Sequence, residues 1–67
     1  MDVRSRVGAN VKRLREAKGL SQEELAFDAE MHRTYVSGIE RGRRNPTVTV
    51  VQRLAFALGA KASELLS

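Results

Sequence analysis

Apolar residues at Val3, Val7, Val11 and Leu14 recur at spacings of four and three, which marks one buried stripe on a first helix of roughly three to four turns. Lys18-Gly19 supplies a cation in its last turn and a residue free to take a left-handed stop. Gly8 lies inside the stripe and costs about 1 kcal/mol relative to alanine, so the helix is expected to fray before Gly8 unless close packing requires a glycine there. Ser21-Gln22-Glu23-Glu24 has the form of a capping box and predicts a second, short helix with the stripe Leu25, Ala26 and Ala29, broken at Glu30-Met31. A third helix is expected from about His32 to Arg41, with Val36, Ile39 and the stem of Glu40 on its inner side and Gly42 closing it. Beyond the polar loop Arg43-Arg44-Asn45-Pro46, Thr47 is placed to cap a fourth helix whose inward set reads Val48, Val51, Leu54, Ala55 and Leu58, ended by Gly59. The stretch from Ala60 to Ser67 leaves room for a further turn or two, with Leu65 and Leu66 available to pack back. The pattern predicts an all-α chain of five short helices, with no repeat, linker or low-complexity segment.

Composition narrows this picture. A chain of 67 residues with 42% hydrophobic content builds one modest core, so residues 1–67 are expected to form a single domain. Without cysteine, neither disulfides nor thiolate metal sites can staple so small a fold, and stability must come from packing or from dimerisation. The N-terminal stretch alternates valines with Arg4, Arg6, Lys12 and Arg13 instead of forming the apolar run of a signal peptide, and there is no transmembrane run, so a cytoplasmic location is expected. The net charge of +4 is moderate but segregated. Basic residues dominate up to Arg15, acidic ones (Glu16, Glu23, Glu24, Asp28, Glu30) follow, and positive charge returns at Arg33, Arg41, Arg43 and Arg44. Such blocks also arise as ordinary solvated helix faces, and alone they favour nucleic acid only modestly.

The spacing of helices two and three is more informative. A connection of about three residues forces them to cross steeply, as in a DNA-binding helix-turn-helix. If Val36 and Ile39 set the buried direction of helix three, the opposite face carries Thr34, Ser37, Gly38 and Arg41, flanked by Arg33 and Tyr35. That face is rich in hydrogen-bonding groups and poor in bulk, and Gly38 would let it lie close to another surface.

Taken in order, Leu14-Arg15, Gly19-Leu20-Ser21-Gln22-Glu23-Glu24-Leu25-Ala26, Thr34-Tyr35-Val36-Ser37-Gly38-Ile39-Glu40-Arg41-Gly42, Asn45-Pro46-Thr47 and Ala57-Leu58-Gly59 resemble the Cro/C1-type helix-turn-helix family of phage repressors, antitoxin partners and restriction-modification controller proteins. The resemblance covers almost the whole chain. It implies a lambda-repressor-like fold and a sequence-specific regulator of transcription that binds double-stranded DNA, most simply as a homodimer on a palindrome. Matched residue by residue, it places Gln22 on a DNA phosphate at the start of helix two. Arg33, Thr34, Tyr35 and Ser37 fall at the positions that face the major groove, with Arg33 the first choice for guanine O6 and N7. Arg43, Arg44 and Asn45 fall in a loop that touches the sugar-phosphate backbone, and Arg15 and Glu40 hold the positions of a structural ion pair. Two departures stand out. Glu30 occupies a turn position that is often glycine, where a positive φ carries a cost. His32 stands where the family often has Ser, Thr or Asp as the cap of helix three, so its side chain is free either to cap or to approach DNA.

No catalytic residue is expected. A lone histidine with no cysteine and no clustered carboxylates offers neither a nucleophile-base pair nor a metal site. No cofactor, membrane contact or small-molecule effector is expected either. With Val51, Leu54 and Leu58 inward, Val50 and Phe56 are left over on helix four, and Val50, Phe56, Leu65 and Leu66 are expected to form the patch that a two-fold partner buries. The competing reading is an antitoxin-like module that uses the same fold mainly to bind protein.

Overall fold

Side-chain caps set the starts of the first four helices. In the computed structural model, which describes residues 2–67, the Asp2 carboxylate accepts from the Ser5 amide at 2.9 Å and starts α1 (Val3–Ala17). Ser21 accepts from the Glu24 amide at 3.0 Å while the Glu24 carboxylate accepts from the Ser21 amide at 2.8 Å, the full capping box of α2 (Gln22–Asp28). His32 caps α3 (Arg33–Glu40) with its own ring, Nδ1 accepting from the Thr34 amide at 3.1 Å. Thr47 accepts from the Val50 amide at 3.2 Å and opens α4 (Val48–Leu58), and α5 (Ala62–Leu66) follows. There is no strand among the described residues. Gly19, Gly42 and Gly59 end α1, α3 and α4.

One apolar core joins all five helices. Val7 and Val11 of α1, Leu25 and Ala26 of α2, Val36 and Ile39 of α3, Val51, Leu54, Ala55 and Leu58 of α4 and Leu65 of α5 are all buried, and no charged or polar residue is buried with them among the described residues. Burying such side chains stabilises by roughly 1.5–3 kcal/mol each before chain entropy is counted. α1 lies against α3 and α5, α2 against α3, and α4 against α5. Polar tethers reinforce this order. The Asn10 amide donates to the Leu65 and Ser67 carbonyls, both at 3.0 Å, and Lys18 Nζ donates to the Ala57 carbonyl at 3.3 Å.

The structure corrects three expectations. α1 is continuous through Gly8 and does not fray before it. A β-carbon at Gly8 would run into the Ile39 carbonyl oxygen and come within 2.9 Å of that of Glu40, so the glycine is the close-packing case: it lets α1 approach the backbone at the end of α3. Val48 is not inward. As the first residue of α4 it is 75% exposed, and Val50 packs against the core instead, half-buried. Leu65 does pack back, completely buried in the core, and is thereby removed from the expected dimer patch.

Candidate nucleic-acid interface

The turn between α2 and α3 is closed by two backbone bonds, from the Glu30 amide to the Phe27 carbonyl (3.1 Å) and from the Met31 amide to the Ala26 carbonyl (2.9 Å). This geometry needs a left-handed residue, and Glu30 supplies it at φ 57°. For an L-residue that costs roughly 1–2 kcal/mol. In return, α3 crosses the end of α2 with Val36 and Ile39 fully buried. His32 makes the cap bond that the family more often draws from Ser, Thr or Asp, so the histidine does structural duty at this helix start.

The opposite face of α3 is open. Arg33, Thr34 and Arg41 are exposed and Ser37 is half-buried. Together with Gln22 they line one shallow polar depression between the start of α2 and α3. Ser37 Oγ accepts from Arg41 at 2.6 Å, so Arg41 is held along the helix surface. The lining holds two guanidiniums and no carboxylate, which favours an anionic or acceptor-rich ligand. Helical periodicity puts Arg41 on this face, but the sequence offers no reason to rank it with Arg33, Thr34, Tyr35 and Ser37.

Behind that face lies a charge network. Arg15 donates through Nε to Glu40 Oε2 (2.7 Å) and through Nη2 to Glu40 Oε1 (3.1 Å), and its Nη1 donates to the Leu20 carbonyl at 2.8 Å. Gln22 Nε2 donates to Glu40 Oε1 at 3.0 Å. The Arg15 and Glu40 side chains are 11% and 3% exposed. Hydrogen bonding to the Glu40 carboxylate raises the Arg15 pKa, against the opposing effect of desolvation. The pair joins α1 to the last residue of α3, and Gln22 brings in the start of α2. One amide hydrogen of Gln22 is thereby turned inward, and a second remains for another acceptor.

After α3 the chain reverses at Gly42 (φ 73°), whose amide donates to the Ile39 carbonyl at 3.0 Å, while the Arg43 amide donates to the Gly38 carbonyl at 2.9 Å. A side chain at Gly42 would be strained, and its β-carbon would sit 3.1 Å from Ser5 Oγ. Arg43, Arg44 and Asn45 are exposed. Arg44 nevertheless folds back over α3, with its guanidinium 5.7 Å from the centre of the Tyr35 ring. The room that Gly38 leaves is therefore taken by Arg44, whereas the sequence suggested an open approach for an external surface.

The expected dimer patch is only partly present. Leu65 is in the core and Val50 is half-buried against it, so neither forms an exposed patch. Phe56 and Leu66 do, at 88% and 49% exposure. The sequence reading missed Phe27, which is 82% exposed and lines, with Phe56, Met31 and Gln52, an open groove between the end of α2 and α4. Its position beside the stripe of Leu25, Ala26 and Ala29 was the available signal. No helix is long and apolar enough to cross a membrane, and no group of three His, Cys, Asp or Glu suited to a metal ion occurs, among the described residues.

Comparison with known proteins agrees with this geometry. Residues 11–65 match the family described as Helix-turn-helix. The chain is 49% identical over 67 residues to an uncharacterized HTH-type transcriptional regulator, y4dJ, of Sinorhizobium fredii, covering 100% of this chain and 87% of that protein. It is 41% identical over 66 residues to the control protein C.BamHI of Bacillus amyloliquefaciens, covering 97% and 82% respectively. Among solved structures, the restriction-modification controller protein C.AhdI of Aeromonas hydrophila superposes with a TM-score of 0.90 at 45% identity, over 92% of this chain and 94% of that one. The chain belongs to the Cro/C1-type helix-turn-helix family, whose members are DNA-binding transcriptional regulators and not enzymes.

Proposed function

We propose that this regulator reads double-stranded DNA by laying α3 in the major groove, as a homodimer on a palindromic operator. The observation that supports it most is the shallow depression in which Gln22, Arg33, Thr34, Ser37 and Arg41 meet without a single carboxylate. Arg33 stands at the first position of α3, exposed and long enough to offer a guanine O6 and N7 two parallel donors. Thr34, Tyr35 and Ser37 take the neighbouring base edges. Gln22, Arg43 and Asn45 hold the phosphate backbone on either side, which sets register without carrying sequence information, and Arg44 reaches the backbone from the same loop. Dimerisation uses the exposed Phe56, with Phe27 and Leu66 as further apolar surface. A two-fold pair of α3 helices about 34 Å apart would read two half-sites one DNA turn apart, more base pairs than a single short helix can contact.

The test is selection of duplexes from a random-sequence pool by the wild-type chain, followed by titration of Arg33→Ala on the selected duplex and on a scrambled one. Arg33→Ala is expected to cost about 1–3 kcal/mol on the selected duplex and much less on the scrambled one. Equal losses on both remove base reading from Arg33, and a wild type that enriches no duplex leaves the protein-binding module as the better account. In analytical ultracentrifugation at micromolar concentration, the wild type is expected to sediment as a dimer and Phe56→Asp as a monomer. Identical sedimentation of the two removes α4 from the interface.

A further inference from the structure

Arg44 crosses the outer face of α3 from the loop that follows it. A β-carbon built on Gly38 would lie 2.7 Å from Arg44 Cγ, 3.5 Å from Nε and 3.7 Å from Cδ, so the arginine stem runs directly over the Gly38 backbone. Gly38 and Tyr35 are three residues apart on one side of α3, and the guanidinium lies within cation-π distance of the Tyr35 ring. The path is prepared by the chain reversal at Gly42 and by the backbone bond from Arg43 to Gly38. A loop arginine that only touches phosphate needs none of this. A flexible side chain delivers charge equally well, and glycine in mid-helix weakens α3. The arrangement instead carries a guanidinium out of the loop and sets it over Tyr35 in the first turn of α3.

We propose that Arg44, Tyr35 and Gly38 form one preassembled reading element, in which Arg44 determines DNA sequence specificity rather than serving only as a loop contact to phosphate. Holding the planar guanidinium against the ring fixes the direction of its donors and reduces the side-chain freedom lost on binding. Lysine preserves the charge at position 44 but neither the planar fork nor the stacking. The inference rests on the DNA-reading role argued above.

Two full-length variants test it, Gly38→Ala and Arg44→Lys, on the duplex selected by the wild type and on a scrambled duplex of equal length. Gly38→Ala puts a methyl group where the Arg44 stem lies and places a better helix former in α3, so its melting temperature is expected to match or exceed the wild type while the arginine is displaced. Tyr35 is the only tyrosine, and its ring current is expected to shift the Arg44 side-chain methylene resonances upfield in the wild type and not in Gly38→Ala. Both variants are expected to lose about tenfold in preference for the selected duplex, with the salt dependence of binding to the scrambled duplex unchanged because the charge is retained. Wild-type preference in both variants overturns the proposal, as does an equal loss on the two duplexes. A wild type that enriches no duplex overturns the DNA-reading role itself, and this proposal with it.

Discussion

The two faces of α3 are built on opposite terms. The inner face is fully committed: Val36 and Ile39 are buried, Glu40 accepts three hydrogen bonds from Arg15 and Gln22, and the backbone carbonyls of Ile39 and Glu40 press against Gly8 of α1. The outer face carries Arg33, Thr34 and Arg41 in solvent, where Arg41 donates to Ser37 of its own helix and Arg44 of the following loop lies over Tyr35. A glycine serves each face, Gly8 on α1 opposing the inner one and Gly38 on the outer one. The first has rigid backbone against it and the second a flexible side chain. Space next to backbone cannot be refilled, whereas space next to an arginine can be traded between stability and recognition. The helix is held hard from behind so that its front can remain available for a ligand.

The sharpest way to break this contrast is Glu40→Ala, which leaves Arg15 partly buried without its carboxylate and Gln22 without its acceptor. A loss of about 3–5 kcal/mol is expected in urea unfolding, most of what a domain of this size holds, whereas Arg15→Met combined with Glu40→Leu should recover much of it. Gly8→Ala comes next. Its methyl group meets carbonyl oxygens that cannot turn aside, so overpacking of about 2–3 kcal/mol is expected, against a slight gain if the site were merely a helical glycine. A thermal melt decides between the two signs.

Smaller effects sharpen the comparison. Glu30→Gly relieves the left-handed strain of the turn that aims α3, and after the greater unfolded-state freedom of glycine is subtracted a gain of about 0.5–1 kcal/mol is expected. Lower stability would mean that the Glu30 side chain makes a contact worth more than the strain. On the outer face, Arg33→Ala should change stability by no more than about 0.5 kcal/mol, since the residue is exposed.

The smallest effect follows pH. Hydrogen bonds from Ser21 hold the exposed Glu24 carboxyl below its ordinary value of 4.5, and the backbone bond from Ser5 does the same for Asp2 from 3.8. A carboxyl with a depressed folded-state pKa stabilises fully above its unfolded value, and that contribution is lost as pH falls through the folded value. Melting temperatures of the wild type and Glu24→Gln should therefore differ near neutrality and converge in acid. A constant difference would remove the capping box from the acid response.

Helix boundaries were legible in the sequence because local chemistry sets them. Ser21 with Glu24, Thr47 before Val50, and the glycines at 19, 42 and 59 act within a few residues of where they stand. Periodicity likewise found most of the core and the outward residues of α3. What it missed depends on residues distant in the chain. The reason for Gly8 is the Ile39 carbonyl, and Leu65 is buried because α5 docks on α1. Val48, the first residue of α4, stays exposed although it is in phase with the stripe, while Val50 and Val51 of the same turn reach the core. The Arg44 stem over Gly38 follows from a loop path that no spacing rule encodes.

The tether from Asn10 to the carbonyls of Leu65 and Ser67 spans 55 and 57 positions of sequence. Most contacts within a helical domain are local and form quickly, but this one closes a loop of nearly the whole described chain, and its entropic cost comes before any return. The core is therefore completed from its two extremes. The α2–α3 pair joins neighbouring segments, whereas the docking of α5 on α1 brings together segments from opposite ends of the sequence.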